Sequence, residues 1–111
     1  HRVELGEIES ALREHPAVRE AAVIALPGRT VTEDRDLVAC VELTPGLTAD
    51  ERTLLTHLRA RLPVYMLPGS IHALPGLPLN VSGKLDRHAL AARGRPETLP
   101  EGTADAQGEQ G

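Results

Sequence analysis

The apolar positions of this chain change period several times, and each change marks an element. Leu5, Ile8 and Leu12, with Ala11, recur at helical spacing, while Glu7, Glu9, Arg13 and Glu14 fall elsewhere. The spacing predicts a first helix from about Leu5 to Glu14, supported by Glu9 standing four residues before Arg13. His15-Pro16 ends it, because the residue before a proline is driven out of helical conformation. From Val18 to Leu26 the pattern becomes dense, with Ala21-Ala22-Val23-Ile24-Ala25-Leu26 closed by Pro27-Gly28, as expected for a buried strand. A polar loop is expected over residues 27–35. Leu37, Ala39, Val41 and Leu43 then alternate onto one face of a second strand, which Pro45-Gly46 ends.

Thr48-Ala49-Asp50-Glu51 fits a capping box, in which the threonine hydroxyl and the glutamate three residues later satisfy each other's free backbone donors. The second helix it opens carries Leu54, Leu55, Leu58 and Leu62 on one side and stops at Pro63. Leu62-Pro63-Val64-Tyr65-Met66-Leu67-Pro68 reads as an extended crossing fixed by its prolines, with Tyr65 and Met66 filling the core. Ser70 to Leu74 is a brief strand, Pro75-Gly76-Leu77-Pro78 a stiff connector, and Asp86 to Ala92 a last short helix. The order is helix, strand, strand, helix, strand, loop, helix. It predicts an α+β fold, a small sheet of about three strands flanked by helices, over residues 1–93. Residues 94–111 lack apolar periodicity and read as a disordered linker.

Composition narrows the function. Phe and Trp are absent and Tyr65 is the sole aromatic, so the core is aliphatic and no deep self-contained ligand pocket is expected. Of the net charge of −4, residues 94–111 carry −3, which leaves the folded part near neutral and excludes a nucleic-acid surface. Cys40, the single cysteine, lies inside an apolar run and is expected to be a small buried hydrophobe, which suits a reducing, cytoplasmic setting. No apolar run approaches the roughly 20 residues of a membrane span. His1, His15, His57, His72 and His88 have no metal-ligand spacing, so they are expected on the surface or in turns and no metal site is assigned. The chain opens on His1 within what reads as a continuing segment, so it is expected to be a piece of a longer protein.

One basic residue stands apart. Of 12 basic side chains 11 are arginine, and the only lysine, Lys84, follows Gly83 in Leu79-Asn80-Val81-Ser82-Gly83-Lys84-Leu85-Asp86-Arg87. A lysine ammonium is a compact point charge on a flexible stem, unlike the planar guanidinium fork. Gly83 relaxes the backbone before it and Asp86 can cap the helix after it, so Lys84 is expected on a mobile loop tip braced by a helix start. A phosphate-cradling P-loop is excluded: Gly76 lies seven residues before Gly83 rather than five, and Leu85 stands where a hydroxyl residue is required.

Three separated pieces together resemble one family. Arg2-Val3-Glu4-Leu5-Gly6-Glu7-Ile8-Glu9, Leu62 to Pro68, and Ser82-Gly83-Lys84-Leu85-Asp86-Arg87 look like the last three signature motifs of adenylate-forming enzymes, of the amino-acid adenylation type found in nonribosomal peptide synthetases. The resemblance covers residues 1–93 and implies the small C-terminal lid subdomain of such an enzyme. It implies activation of a carboxylic or amino acid with ATP and Mg2+, most of whose pocket lies on an N-terminal adenylation subdomain, then transfer to the phosphopantetheine thiol of a peptidyl carrier domain. Lys84 matches the lysine of the first half-reaction, with Ser82, Gly83 and Asp86 as loop support. Arg2, Val3, Glu4 and Gly6 match the face presented for the thioester step. Ser82 replaces the asparagine common in the family, and the segment between Pro68 and Pro78 lacks an aromatic often seen there. The lid of an acyl-CoA or aryl-acid ligase, or a non-catalytic interaction module of the same fold, are the alternatives.

Overall fold

A computed structural model describes residues 3–27 and 35–93. His1, Arg2, most of the expected polar loop and the expected linker over 94–111 lie outside the described residues. The elements are α1 (Leu5–Arg13), β1 (Val18–Pro27), β2 (Arg35–Leu43), α2 (Glu51–Arg59), a 3-10 turn (Val64–Met66), β3 (Ser70–Ala73) and α3 (Arg87–Ala92). The expected order holds, although β1 and β2 run further than their apolar cores: Pro27 pairs with Arg35, so the loop is shorter than residues 27–35.

The sheet has strand order β1-β2-β3. β1 and β2 are antiparallel in a register that sets Val23 opposite Ala39, with an irregularity between Val18 and Glu20. β3 runs parallel to β2, Ile71 opposite Ala39. Parallel neighbours need a long crossover connection, and α2 lies within it.

The dense apolar runs have a simple cause: the sheet is buried on both sides. Ala21, Val23, Ala39 and Val41 pack with Ile8 and Leu12 of α1, Leu54 and Leu58 of α2, and Leu62, Met66 and Ile71. Ala22, Ile24, Val38 and Cys40 pack on the other face with Leu77 and Leu90, supported by Leu74, Leu85 and Ala91. Each fully buried Leu or Ile stabilises such a layer by about 1.5–3 kcal/mol. β2 therefore uses both its faces, beyond the single face its alternation suggests. Cys40 is fully buried as expected, and burial pushes its thiol up to about 11.

Three local expectations are corrected. Asp50, not Thr48, caps α2, accepting the Thr53 amide at 2.8 Å, so the capping box does not form. An aspartate at the N-cap is the stronger acceptor, and using it starts the helix two residues later. Leu62 to Pro68 is not wholly extended but contains the 3-10 turn; Met66 is buried, whereas Tyr65 points out at 43% exposure. Successive residues of so tight a turn leave in different directions, so the two side chains cannot both enter the core. His57 and His72 are half-buried within α2 and β3 rather than on the surface or in turns.

Candidate functional site

The lysine loop is a hydrogen-bonded hairpin. Leu79 and Leu85 form an antiparallel bridge, the Asn80 amide donates to the Lys84 carbonyl at 2.7 Å, and the Gly83 amide donates to the Asn80 carbonyl at 2.9 Å. Gly83 has φ +82°, a conformation that costs glycine nothing and other residues dearly. The Asn80 side chain organises the tip: its Oδ1 accepts the amides of Ser82 at 2.9 Å and Lys84 at 3.1 Å. Sequence reasoning overlooked Asn80. Its signal was an asparagine two residues before a serine and three before a glycine, the pattern of a side chain bonding the backbone just ahead of it.

The hairpin passes directly into α3. The Asp86 amide donates to the Pro78 carbonyl at 2.9 Å, and Asp86 Oδ1 caps the helix by accepting the Ala89 amide at 2.9 Å, as expected. Leu85 packs inward on the second core layer while Lys84 is exposed. Among the described residues, no hydrogen bond or ion pair holds the Lys84 ammonium. The site is thus a cation displayed on a backbone-fixed platform.

Of the residues expected to face the thioester step, Val3 is half-buried against the first core layer and Glu4 is exposed at the N-cap of α1, its carbonyl accepting the amides of Glu7 and Ile8. Gly6 is exposed in the first turn of α1, and a β-carbon there would meet open space. Arg2 lies outside the described residues.

The two motifs at opposite ends of the domain are joined by a pair that sequence reasoning missed. Glu9, on α1, is 1% exposed. Its Oε2 accepts the Val23 amide of β1 at 2.8 Å and Arg87 Nε at 2.6 Å, and its Oε1 accepts Arg87 Nη2. Arg13, the expected helical partner, is more distant at 3.8 Å. The bond to Glu9 holds the Arg87 guanidinium above its ordinary value, against the opposing effect of burial. A carboxylate on the apolar side of a helix invites the search for a buried partner, since such a charge is otherwise too costly to keep.

A shallow groove of about 290 Å3 runs between α1 and the end of α2, lined by Glu7, Ser10, Ala11, Glu14, Arg61 and Leu62, none of them from the hairpin. Among the described residues, no group of three His, Cys, Asp or Glu side chains could hold a metal ion, and no helix is long and apolar enough to cross a membrane.

A family profile described as the AMP-binding enzyme C-terminal domain matches residues 7–84. A linear gramicidin synthase polypeptide of Brevibacillus parabrevis is 45% identical over 92 residues, covering 83% of this chain and 1% of that protein. A plipastatin synthase polypeptide of Bacillus subtilis (strain 168) is 46% identical over 91 residues, covering 81% of this chain and 3% of that protein. Among solved structures, ATP-bound MatB from Rhodopseudomonas palustris superposes with a TM-score of 0.77 at 29% identity, over 84% of this chain and 18% of that one. The acyl-CoA synthetase of Brucella canis superposes with a TM-score of 0.73 at 33% identity, over 81% of this chain and 17% of that one. The chain therefore spans a small fraction of each protein it resembles.

Proposed function

Because this chain belongs to the AMP-binding enzyme C-terminal domain family, we propose that it is the mobile catalytic lid of an ATP-dependent amino-acid-adenylating enzyme of nonribosomal peptide synthesis. Lys84 carries the reading: an exposed ammonium on a fixed hairpin, in a chain whose other basic residues are all arginine. Such a platform suits delivery of one point charge to a nucleotide held by another domain, the N-terminal adenylation subdomain, to which Mg2+ and most contacts to ATP are assigned. The likeness to two peptide synthases at 45% and 46% identity favours this over an acyl-CoA or aryl-acid ligase, the runner-up suggested by the acyl-CoA synthetase fold match at 33%.

In the first half-reaction a substrate carboxylate oxygen bonds to the α-phosphorus of ATP. The bond to the oxygen bridging to the β-phosphate breaks, and pyrophosphate leaves. Two anions must meet, and in this reading the Lys84 ammonium bonds both the carboxylate and the oxygen on which charge develops. In the second, the carrier's phosphopantetheine sulfur attacks the acyl carbon, the thiol proton is lost and AMP departs. For this step the lid turns, withdrawing Lys84 and presenting the face at Arg2, Val3, Glu4 and Gly6. Ser82, Gly83 and Asp86 serve the first step by shaping the hairpin and starting the helix behind it. A cytoplasmic setting, with ATP available and Cys40 reduced, fits this work.

The test is Lys84→Ala in the complete enzyme. ATP–pyrophosphate exchange should fall on the order of a hundredfold or more, the scale for removing one preorganised electrostatic contact. Transfer from a supplied acyl-adenylate to the carrier should be spared, and Lys84→Arg should rescue poorly because a planar fork cannot reproduce a point contact. Equal loss in both half-reactions would reject the two-task lid, and no loss in either would make Lys84 a solvated turn residue.

A further inference from the structure

Two residues, Leu85 and Asp86, separate Lys84 from Arg87, and both are tied down. Asp86 bonds backward to Pro78 and forward to Ala89, the Leu79–Leu85 bridge closes the hairpin, and Leu85 is packed on the sheet. The orientation of Arg87 at the start of α3 therefore transmits to the lysine stem. Arg87 is in turn gripped two-pronged by Glu9, which is nearly fully buried and anchored to the Val23 amide of β1. We propose that Glu9 and Arg87 are positioning residues for Lys84: the buried carboxylate fixes the hairpin relative to α1 and β1, so that the ammonium reaches the reacting phosphate without further ordering.

This rests on the reading of Lys84 given above. The chemistry favours a positioning role over simple reinforcement. Two parallel bonds between a carboxylate and a guanidinium fix direction as well as distance, which one contact to a lysine would not. Arg87 is largely open on its far side, with 46% of its side chain exposed, so the fork is held at one edge and is not merely packing material. The same carboxylate ties α1 and the Val23 amide of β1 to the helix behind the hairpin, so its hold falls on the lysine side of the domain.

The test uses the complete enzyme with Arg87→Lys, which keeps a cation on Glu9 but removes the fork, and Glu9→Gln as a second variant that keeps an acceptor for the Val23 amide. Both should lower the turnover of ATP–pyrophosphate exchange by on the order of ten- to a hundredfold, the effect of misplacing a reacting group by about an ångström, with smaller changes in KM for ATP. Transfer from a supplied acyl-adenylate should be nearly unchanged, which a general collapse of the lid would not allow. The decisive measurement is the double variant Lys84→Ala with Arg87→Lys. If Arg87 acts through Lys84, it should be no slower than Lys84→Ala alone. Multiplying losses, equal damage to both half-reactions, or full activity in both single variants would each overturn the positioning role. A fully active Lys84→Ala would instead strike the underlying reading, and would be seen on that variant alone.

Discussion

Glu51 Oε2 accepts the amide of Ile71 at 3.0 Å, closing the first turn of α2 onto β3. β3 is an edge of the sheet, and so is β1, where Glu9 takes the Val23 amide in the same manner. At both edges a helix glutamate occupies a backbone donor that a further strand would otherwise use, one way in which sheets avoid pairing with other chains. Glu51→Ala should therefore destabilise the chain by about 1 kcal/mol, the net worth of a single partly exposed hydrogen bond. Denaturant unfolding checks it; an unchanged midpoint would mean that water replaces the carboxylate without loss.

Gly6 gives a prediction in which stability and function diverge. It lies inside a helix, its backbone is not left-handed, and a β-carbon there has nothing within 4 Å among the described residues. Alanine should stabilise the domain by about 0.5–1 kcal/mol through reduced freedom of the unfolded chain. If this face approaches the pantetheine channel, Gly6→Ala should slow transfer to the carrier while sparing ATP–pyrophosphate exchange. A variant that is more stable and equally fast in both steps would remove Gly6 from the assigned face.

His15 links stability to pH. Its Nδ1 accepts the Ala17 amide at 3.0 Å, which requires an unprotonated nitrogen. Burial, then the His57 ring in edge contact at 5.1 Å between centroids, then Arg61 hold the imidazole below its ordinary value of 6.5. The unfolded chain thus takes up the proton first. The stabilising contribution is complete above about pH 6.5 and is lost as pH falls through the depressed value. His15→Asn, which keeps an acceptor and removes the titration, should lose less in melting temperature between pH 7.5 and 5 than the parent. Parallel declines in the two would show that other groups govern acid sensitivity.

The groups that periodicity could read are the apolar ones, and these came through with little error. Ile8, Leu12, Leu54 and Leu58 sit where their helical spacing puts them, and the dense runs became the central strands. Asp86 caps its helix because capping is decided within four residues, a range over which sequence is informative. Glu9 was misread for the complementary reason. Its local signal pointed to Arg13, but its strongest partner is Arg87, far along the chain, and no local pattern encodes a pairing that only the assembled layers create. Tyr65 and Met66 show the limit of residue type as a guide: both suit a core, and the turn admits one. Of the candidate site, the exposed lysine and its glycine were legible, whereas the Asn80 scaffold required seeing which backbone amides its side chain reaches.

The solitary ε-amine of the hairpin also makes the chain unusual toward proteases. An endoprotease specific for lysine has a single address here, the bond between Lys84 and Leu85, and a cut there severs the hairpin from α3. The two pieces would still be joined through Leu79 and Leu85, Pro78 and Asp86, and Glu9 and Arg87, so the nicked domain should stay together as a non-covalent pair. The cut would leave each side chain present while freeing the lysine from the helix behind it, separating possession of the amine from control over where it points.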